Sequence, residues 1–254
     1  MDYSNFKIDM PNDVDFIINT IKSHGHQAYA VGGCVRDSIM GLTPNDWDIT
    51  TSALPSDIKE YFNKTIDTGI EHGTVTVMLH NVGYEVTTYR IDGEYKDGRH
   101  PSSVEFSDRL TDDLCRRDFT INAMAYNNVT GLVDEYGGID DINNRIIKCV
   151  GNPIERFTED ALRMMRAIRF SAQLGFTIEP DTFKAIEKLN RNIDKVSMER
   201  VCVELKKTLL SDNPDYCSLY ATTGLFNNIL PVIADNLTGR YAKKLLLTCK
   251  YTDN

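Results

Sequence analysis

The sequence predicts an α/β domain followed by a helical region, and three observations carry that expectation. Runs of β-branched and aromatic residues separated by Gly, Asn and Asp fill the first half, among them QAYAVGG, WDITTS, GTVTVML and YEVTTYR, and these read as strands. From about residue 152 the strand pattern thins and helical periodicity takes over in RFTEDALRMMRAIRFSAQLGF, EPDTFKAIEKLNRNI and SMERVCVELKKTLLS. A chain of 254 residues is long enough to bury a sizeable core, as one large domain or two smaller ones.

In chain order, QAYAVGG is the first strand, and CVRDSIMGL after its glycine pair is a short helix. WDITTS is the next strand, followed in SALPSDIKEYF by a helix for which Ser52 or Ser56 is the candidate cap. GTVTVML and YEVTTYR are further strands. Residues 90–116 mix Gly, Pro and charges and are expected to include an exposed, mobile loop. ERFTEDALRMMRAIRF then reads as one helix: Ala161, Met165, Ile168 and Ala172 form an apolar stripe, while Asp160, Arg163, Arg166 and Arg169 follow three-residue spacing along the other side.

Charge is unevenly divided. Residues 1–140 hold 11 Lys and Arg against 23 Asp and Glu, and residues 141–254 hold 17 against 14. An acidic half suits a site that gathers divalent cations and a mildly basic half could carry an RNA backbone, although two solvated surfaces account for the same numbers. Six cysteines, Cys34, Cys115, Cys149, Cys202, Cys217 and Cys249, lie far apart with no zinc or redox spacing, and read as buried thiols of a reducing compartment. The start, MDYSNFKIDMPNDVDF, lacks the basic and apolar runs of a signal peptide, and no stretch is long enough to span a bilayer, so a cytoplasmic location is expected. Five histidines, His24, His26, His72, His80 and His100, form no triad or metal pattern.

Three places can carry chemistry. Asp46 and Asp48 flank Trp47 in an expected strand, whose two-residue period sends both carboxylates to one face. Two anions that close are tolerated when a hard, oxygen-seeking cation sits between them, and magnesium completed by substrate phosphates is the usual solution. A surface turn at Pro44-Asn45 accounts for the same spacing in many proteins. Glu85, on the YEVTTYR strand, is a third candidate carboxylate or a plain solvent-facing residue. In AVGGCVRD the glycine pair Gly32-Gly33 allows the backbone to approach a triphosphate and Arg36 adds a charged fork, though a tight structural turn explains the glycines equally. The third is Asp160 with Arg163. An acceptor beside a donor matches a base edge with an amino group next to a ring nitrogen, which cytosine and adenine share and which guanine and uracil reverse, at a mismatch cost of about 1–3 kcal/mol per group. A solvated helix face with Glu159 or Asp160 paired to Arg163 is the plain alternative.

Taken in order, the blocks AVGGCVRDSIMG, NDWDITT, RRDFTINAMAYN, EDALRMMRAIRFSAQLGF and KVSMERVCVEL resemble the bacterial-type (class II) tRNA nucleotidyltransferases, or CCA-adding enzymes, and their relatives the bacterial poly(A) polymerases, over nearly all of residues 29–210. The resemblance implies an α/β head of the DNA polymerase beta-like type, a mixed sheet with flanking helices, over residues 1–145. It further implies an all-α neck over 146–208 and the start of a helical body over 209–254. Carried over position by position, Asp46 and Asp48 correspond to the metal ligands and Glu85 to a third carboxylate. Gly32, Gly33 and Arg36 correspond to triphosphate contacts, and Arg117 and Asp118 to ribose and phosphate recognition. Asp160 and Arg163 correspond to the pair that reads the incoming base, with Glu159 bracing Arg163 and Arg166 and Arg169 as nucleotide contacts. GGIDDINNRI would be a hinge, and VSMER would buttress the base-reading helix.

The activity so implied is template-independent addition of C and A to a tRNA 3′ end from CTP and ATP, with Mg2+ as cofactor and pyrophosphate released. The RNA 3′ hydroxyl would attack the α-phosphorus in line. The segment RIDGEYKDGRHP is similar to a flexible loop of CCA-adding and A-adding members, which disfavours a CC-only enzyme and leaves poly(A) synthesis or A addition open. An RNA-binding module without catalysis is the alternative of another class. The relatives are expected to continue into body and tail domains beyond the length of this chain, and the oligomeric state is not read from the sequence.

Overall fold

The computed structural model describes residues 7–93 and 103–229, which form two compact units, residues 7–93 with 103–143 and residues 144–229. The first unit is built on a mixed seven-stranded sheet. Its strands are β1 (Ala28–Val31), β2 (Asp48–Thr51), β3 (Thr65–Gly69), β4 (Thr74–Leu79), β5 (Val82–Thr88), β8 (Met124–Asn127) and β9 (Gly131–Asp134), in the spatial order β3-β4-β5-β2-β1-β8-β9. Only β2 and β5 run parallel; the other neighbours are antiparallel. A separate antiparallel ladder joins β6 (Arg90–Asp92) to β7 (Val104–Phe106).

Central position explains composition here. β1 and β8 are buried at every residue, as near-continuous apolar runs must be when both faces of a sheet are covered. The amphipathic helix α1 (Asn12–Ser23) turns Val14, Ile17, Ile18 and Ile21 inward. Tyr29, Val31, Tyr89, Leu114 and Ala125 form a further core cluster, flanked by Leu110 and Val133. The two-residue turn between β4 and β5 places His80 and Asn81 at φ 49° and 64°, the twist-matched geometry of tight hairpins. That turn fixes the register that sets Glu85 opposite Thr76.

Helices α2 (Gly33–Ile39) and α3 (Pro55–Tyr61) fall where the sequence puts them, but neither Ser52 nor Ser56 caps α3. The Leu54 amide donates to the Asp57 carboxylate at 2.9 Å, and Ser52 Oγ instead accepts from the Gln27 amide at 2.9 Å, tying down the entry to β1. The described residues of the 90–116 segment supply β6, β7 and the helix α4 (Leu110–Cys115). The remainder of the expected loop, residues 94–102, lies outside the described residues, as do His100, Cys249 and the expected helical body from residue 230. The helix α5 (Gly138–Asn143) ends the first unit.

The second unit is helical: α6 (Pro153–Glu159), α7 (Leu162–Leu174), α8 (Pro180–Leu189), α9 (Met198–Leu209), α10 (Ser218–Thr222) and α11 (Leu225–Ile229), with a short parallel ladder of β10 (Ile146–Ile147) and β11 (Thr177–Ile178). The single helix expected through ERFTEDALRMMRAIRF is two helices. Asp160 adopts an extended backbone (φ −133°, ψ 104°), and its Oδ1 accepts from the Leu162 amide at 3.0 Å, capping α7 as a new helix. Nor is α7 amphipathic in the simple sense: every residue from Leu162 to Ala172 is buried except Arg166. Helix α9 packs along it, and Tyr220 Oη is hydrogen-bonded to Thr208 Oγ1 at 2.8 Å within this core. No described helix is long and apolar enough to cross a membrane. Cys34, Cys149 and Cys217 are buried free thiols as expected, whereas Cys115 and Cys202 are exposed.

Candidate active site

In the first unit the carboxylates are assembled by strand register. Asp48 opens β2 with its Cα opposite Val31, while on the other side β5 runs parallel with Ile49 beside Val86 and Thr50 beside Thr87. Paired residues of neighbouring strands share a face, so Asp48 and Thr50 lie on the side that carries Glu85 and Thr87. Asp46 lies in the loop just before β2 and not in the strand itself, because Pro44 and Asn45 turn the chain there. Asp46, Asp48 and Glu85 nevertheless line one open pocket of about 480 Å³, together with Trp47, Val82 and Tyr84.

The crowding is visible in the acid strength of Asp48. Its carboxyl, exposed at the mouth of the pocket but backed by protein, is pushed up to about 6, first by lost hydration and then by the charge of Asp46; Arg117 opposes the shift and Glu85 adds to it. Cys34 lies beneath with its thiol donating to the Val31 carbonyl at 3.4 Å, and burial followed by the Asp48 charge pushes it up to about 12, so it is no nucleophile at neutral pH. Among the described residues no group of three His, Cys, Asp or Glu side chains converges closely enough to hold a metal ion alone. Asp46 and Asp48 offer oxygen donors of the kind a hard divalent cation takes when waters or substrate oxygens complete its shell.

A cationic flank adjoins this acid. Gly32, at φ 83° and ψ −130°, holds a backbone that only glycine adopts readily, and its amide donates to the Met124 carbonyl at 3.2 Å. A Cβ there would lie 3.1 Å from Arg117 Nη1, so the glycine also makes room for the guanidinium. Arg117 is held in turn by Asp113, to which its Nη2 donates at 3.0 Å. Asp113 has no solvent exposure and accepts as well from Arg116 Nε at 3.0 Å and Nη2 at 2.5 Å and from Thr50 Oγ1 at 3.1 Å. Burial pushes its carboxyl upward, but the charges of Arg117 and Arg116 and their hydrogen bonds outweigh burial and hold it below the ordinary carboxylate range.

Arg36 and Asp118 are joined through a residue the sequence did not single out. Arg36 Nη1 donates to Asn122 Oδ1 at 2.6 Å, and Asn122 Nδ2 donates to Asp118 Oδ1 at 3.2 Å, while Arg36 Nε donates to Asp37 at 2.8 Å. Asp118 Oδ1 also accepts from the Phe119 amide at 2.8 Å. Gly33 begins α2, where an added Cβ would stand 3.7 Å from Arg36 Nη2. The pairing of Asp113 with Arg116 and Arg117 was legible as helical spacing of three and four residues. Asn122 carried no comparable local pattern, since its arginine partner lies 86 positions away.

In the second unit the charged residues of α7 are not a solvated ridge. Arg163 and Arg169 are 8% and 7% exposed. Glu159 binds two arginines, accepting from Arg156 Nη2 at 2.5 Å on one oxygen and from Arg163 Nη1 at 2.7 Å on the other. Arg163 Nη1 also donates to the Arg156 carbonyl at 3.2 Å. Asp160, whose Oδ1 caps α7, accepts on Oδ2 from Arg200 Nη2 at 3.3 Å. Arg200 Nη1 is buried with no hydrogen-bond partner among the described residues, a donor that costs about 1–3 kcal/mol if left unsatisfied. Arg169 donates to Glu204 at 2.5 Å and Gln173 at 2.6 Å and lies 3.9 Å over the Phe170 ring; Arg166 lies 5.3 Å from the same ring. Arg200 ends the VSMER block expected to buttress this helix, and its partner Asp160 lies 40 positions away; Glu204 was not singled out by the sequence, because its partner Arg169 lies on another helix, 35 positions away.

Comparison with known proteins places these features in context. Residues 28–148 match the Poly A polymerase head domain, and residues 175–237 match the family described as probable RNA and SrmB-binding site of polymerase A. The CCA-adding enzyme of Ligilactobacillus salivarius is 49% identical over 218 residues, covering 81% of this chain and 54% of that protein. The structure of the Bacillus stearothermophilus CCA-adding enzyme in complex with CTP superposes with a TM-score of 0.77 at 45% identity, over 83% of this chain and 51% of that one. A CCA-adding enzyme in complex with ATP superposes with a TM-score of 0.73 at 26% identity, over 87% of this chain and 51% of that one. The chain thus spans about half the length of the relatives it matches.

Proposed function

The chain belongs to the tRNA nucleotidyltransferase and poly(A) polymerase family, and from that premise we propose that it adds C and A to the 3′ end of tRNA without a template, consuming CTP and ATP and releasing pyrophosphate. The observation that carries the reading is the pocket lined by Asp46, Asp48 and Glu85, with the charge of Arg117 acting on Asp48. Acid and base so divided suit two substrates, one that offers a hydroxyl and one that offers a triphosphate.

Asp46 and Asp48 hold magnesium in this proposal. Bound there, the ion supplies Lewis acidity toward the attacking 3′ hydroxyl and charge neutralisation for the departing pyrophosphate. Gly32 and Gly33 let the triphosphate come close to the backbone, and Arg36 and Arg117 bind its oxygens. Asp113 aims Arg117, and the Asn122–Asp118 pair aims Arg36. Asp118 is assigned to ribose and phosphate recognition through this network. The oxygens of Asp160 accept from the amino group of C or A while Arg163, braced by Glu159, donates to the ring nitrogen. Arg166 lends charge to the nucleotide. Arg169, already bound by Glu204 and Gln173, acts mainly by holding α7 to α9. The cytoplasm, where tRNA is processed, is the proposed location.

The test is incubation with tRNA lacking its terminal CCA, magnesium and each nucleoside triphosphate in turn. CTP incorporation followed by a single A supports the proposal. Unlimited extension from ATP alone would assign poly(A) synthesis, and binding of tRNA with no incorporation from any triphosphate would assign a non-catalytic RNA-binding module.

A further inference from the structure

Arg117 is anchored lightly for a residue assigned to bind phosphate. Among the described residues its guanidinium has one hydrogen-bond acceptor, Asp113 Oδ2 at 3.0 Å, and its buried Nε has none. Where the Arg117 charge points is therefore decided by what holds Asp113. On its other oxygen that carboxylate accepts twice from Arg116, through Nε at 3.0 Å and Nη2 at 2.5 Å. Arg116 in turn extends Nη1 to 3.9 Å from Asp92, whose side chain is 5% exposed and lies 3.0 Å from Arg90 Nε. Arg90, Asp92, Arg116, Asp113 and Arg117 thus form one row of charges that alternate in sign. The row starts on β6, passes the C-terminal end of α4 and ends beside Gly32, where an added Cβ would stand 3.1 Å from Arg117 Nη1.

The ladder of β6 and β7 stands outside the seven-stranded sheet, and two strands of three residues are marginal by themselves. Other bonds seat it. The Ser107 amide donates to the Tyr89 carbonyl at 2.9 Å, Ser107 Oγ donates to Asp112 Oδ2 at 2.5 Å, and Arg90 Nη1 donates to the His72 carbonyl. None of these involves Asp92, so a carboxylate kept out of water between two guanidiniums calls for another role. We infer that Asp92 and Arg116 are positioning residues for Arg117: Asp92 holds Arg116, Arg116 holds Asp113, and Asp113 sets the guanidinium against the triphosphate. The inference rests on the proposed nucleotidyl transfer and deepens it, because it gives a part in triphosphate binding to a ladder that does not line the pocket. The row presents no group to a base, so CTP and ATP are affected alike.

The sign of one substitution separates position from bulk charge. Asp92→Asn removes an anion and, through the field alone, would tighten the binding of any polyphosphate. The inference expects the reverse. With its outer counterion gone Arg116 no longer fixes Asp113, and CTP, ATP and inorganic tripolyphosphate should each bind the full chain about fivefold more weakly in calorimetric titration with magnesium and without RNA. Arg116→Lys, which keeps the charge and loses the fork, should weaken all three to a similar degree. In an Arg117→Gln background, Asp92→Asn should add nothing. Unchanged or tighter binding in Asp92→Asn, a loss confined to one nucleotide, or the same further loss in the absence of Arg117 overturns the inference. If Asp92→Asn also lowers the melting temperature, the Arg117→Gln background decides, since a general loosening weakens binding whether or not Arg117 is present. Because RNA is absent, these outcomes are independent of nucleotide addition: wild-type protein that binds none of the three probes refutes the proposed function together with this inference, whereas binding that ignores Asp92 refutes the inference alone.

Discussion

Asp113→Asn is the sharpest probe of how the cationic flank is built. The carboxylate is fully buried and accepts four hydrogen bonds, two from Arg116, one from Arg117 and one from Thr50. Asparagine fits the same volume but carries no charge and turns an N–H group toward at least one of those donors, so two guanidiniums lose their counterion. Removing one partner of a buried ion pair costs about 3–5 kcal/mol, and the isosteric change, which keeps one acceptor oxygen, belongs near the lower figure of about 3. Chemical denaturation followed by Trp47 fluorescence reports on the unit that contains both residues. The pH dependence fixes the sign. The folded-state carboxyl of Asp113 lies below its ordinary value of 3.8, so its stabilisation is fully present above that value and is lost as pH falls through the lower folded one. The gap between wild type and variant should therefore be constant from neutral pH down to about 5 and narrow below about 4. A stability difference under about 1 kcal/mol at pH 7, or a gap that widens on acidification, would refute the assigned ion-pair network.

Three further substitutions address the remaining parts. Asp48→Asn should abolish magnesium-dependent nucleotide addition by about three orders of magnitude while leaving thermal stability unchanged or higher, because the carboxyl it replaces is already held up to about 6 by burial and Asp46; a clear loss of melting temperature would contradict that crowding. Gly32→Ala should cost about 1–2 kcal/mol for its φ of 83° and, by pressing on Arg117, raise KM for both triphosphates; normal stability and kinetics would show that the tight turn has no bearing on the site. Arg200→Lys keeps the charge but loses the planar fork that meets Asp160, so KM for CTP and ATP should rise about tenfold with little change in kcat; equal effects on addition and on global stability would mark Arg200 as merely structural.

What the sequence revealed and what it concealed follows from the range of the interactions. The Asp46–Asp48 spacing, the glycine pair and the Arg163 turn are local patterns, and an α/β domain followed by helices follows from alternation and short periodic runs that need no knowledge of partners, whereas the mixed sheet was implied only by the family resemblance. The failures were local competitions settled by a side chain. Asp160 looked like one more helical residue, yet an aspartate can bond the amide two positions on, and that alternative breaks the helix so that its own carboxylate becomes a cap. Ser56 looked like a cap, but Asp57 reached the Leu54 amide first. The charged residues Asp160 and Arg169 looked solvated because their partners, Arg200 and Glu204, come from a helix far along the chain.

In the proposed function the same distinction separates the residues assigned to chemistry from those that aim them. Asp48 is held at a cost that its raised pKa records, first through burial and then through the neighbouring charge of Asp46. Asp113, Asn122, Glu159 and Glu204 do the reverse: each satisfies an arginine at a distance of 2.5 to 3.0 Å and fixes where its charge can go. A guanidinium on a long side chain has about 2 kcal/mol of rotamer entropy to lose, so one already anchored by a carboxylate or amide binds phosphate or base with less to pay on ligand binding. Residues that carry charge toward a substrate therefore come in short sequence blocks, where neighbours can be read together. The residues that hold them still are scattered, because only the fold brings an anchor to the far side of an arginine.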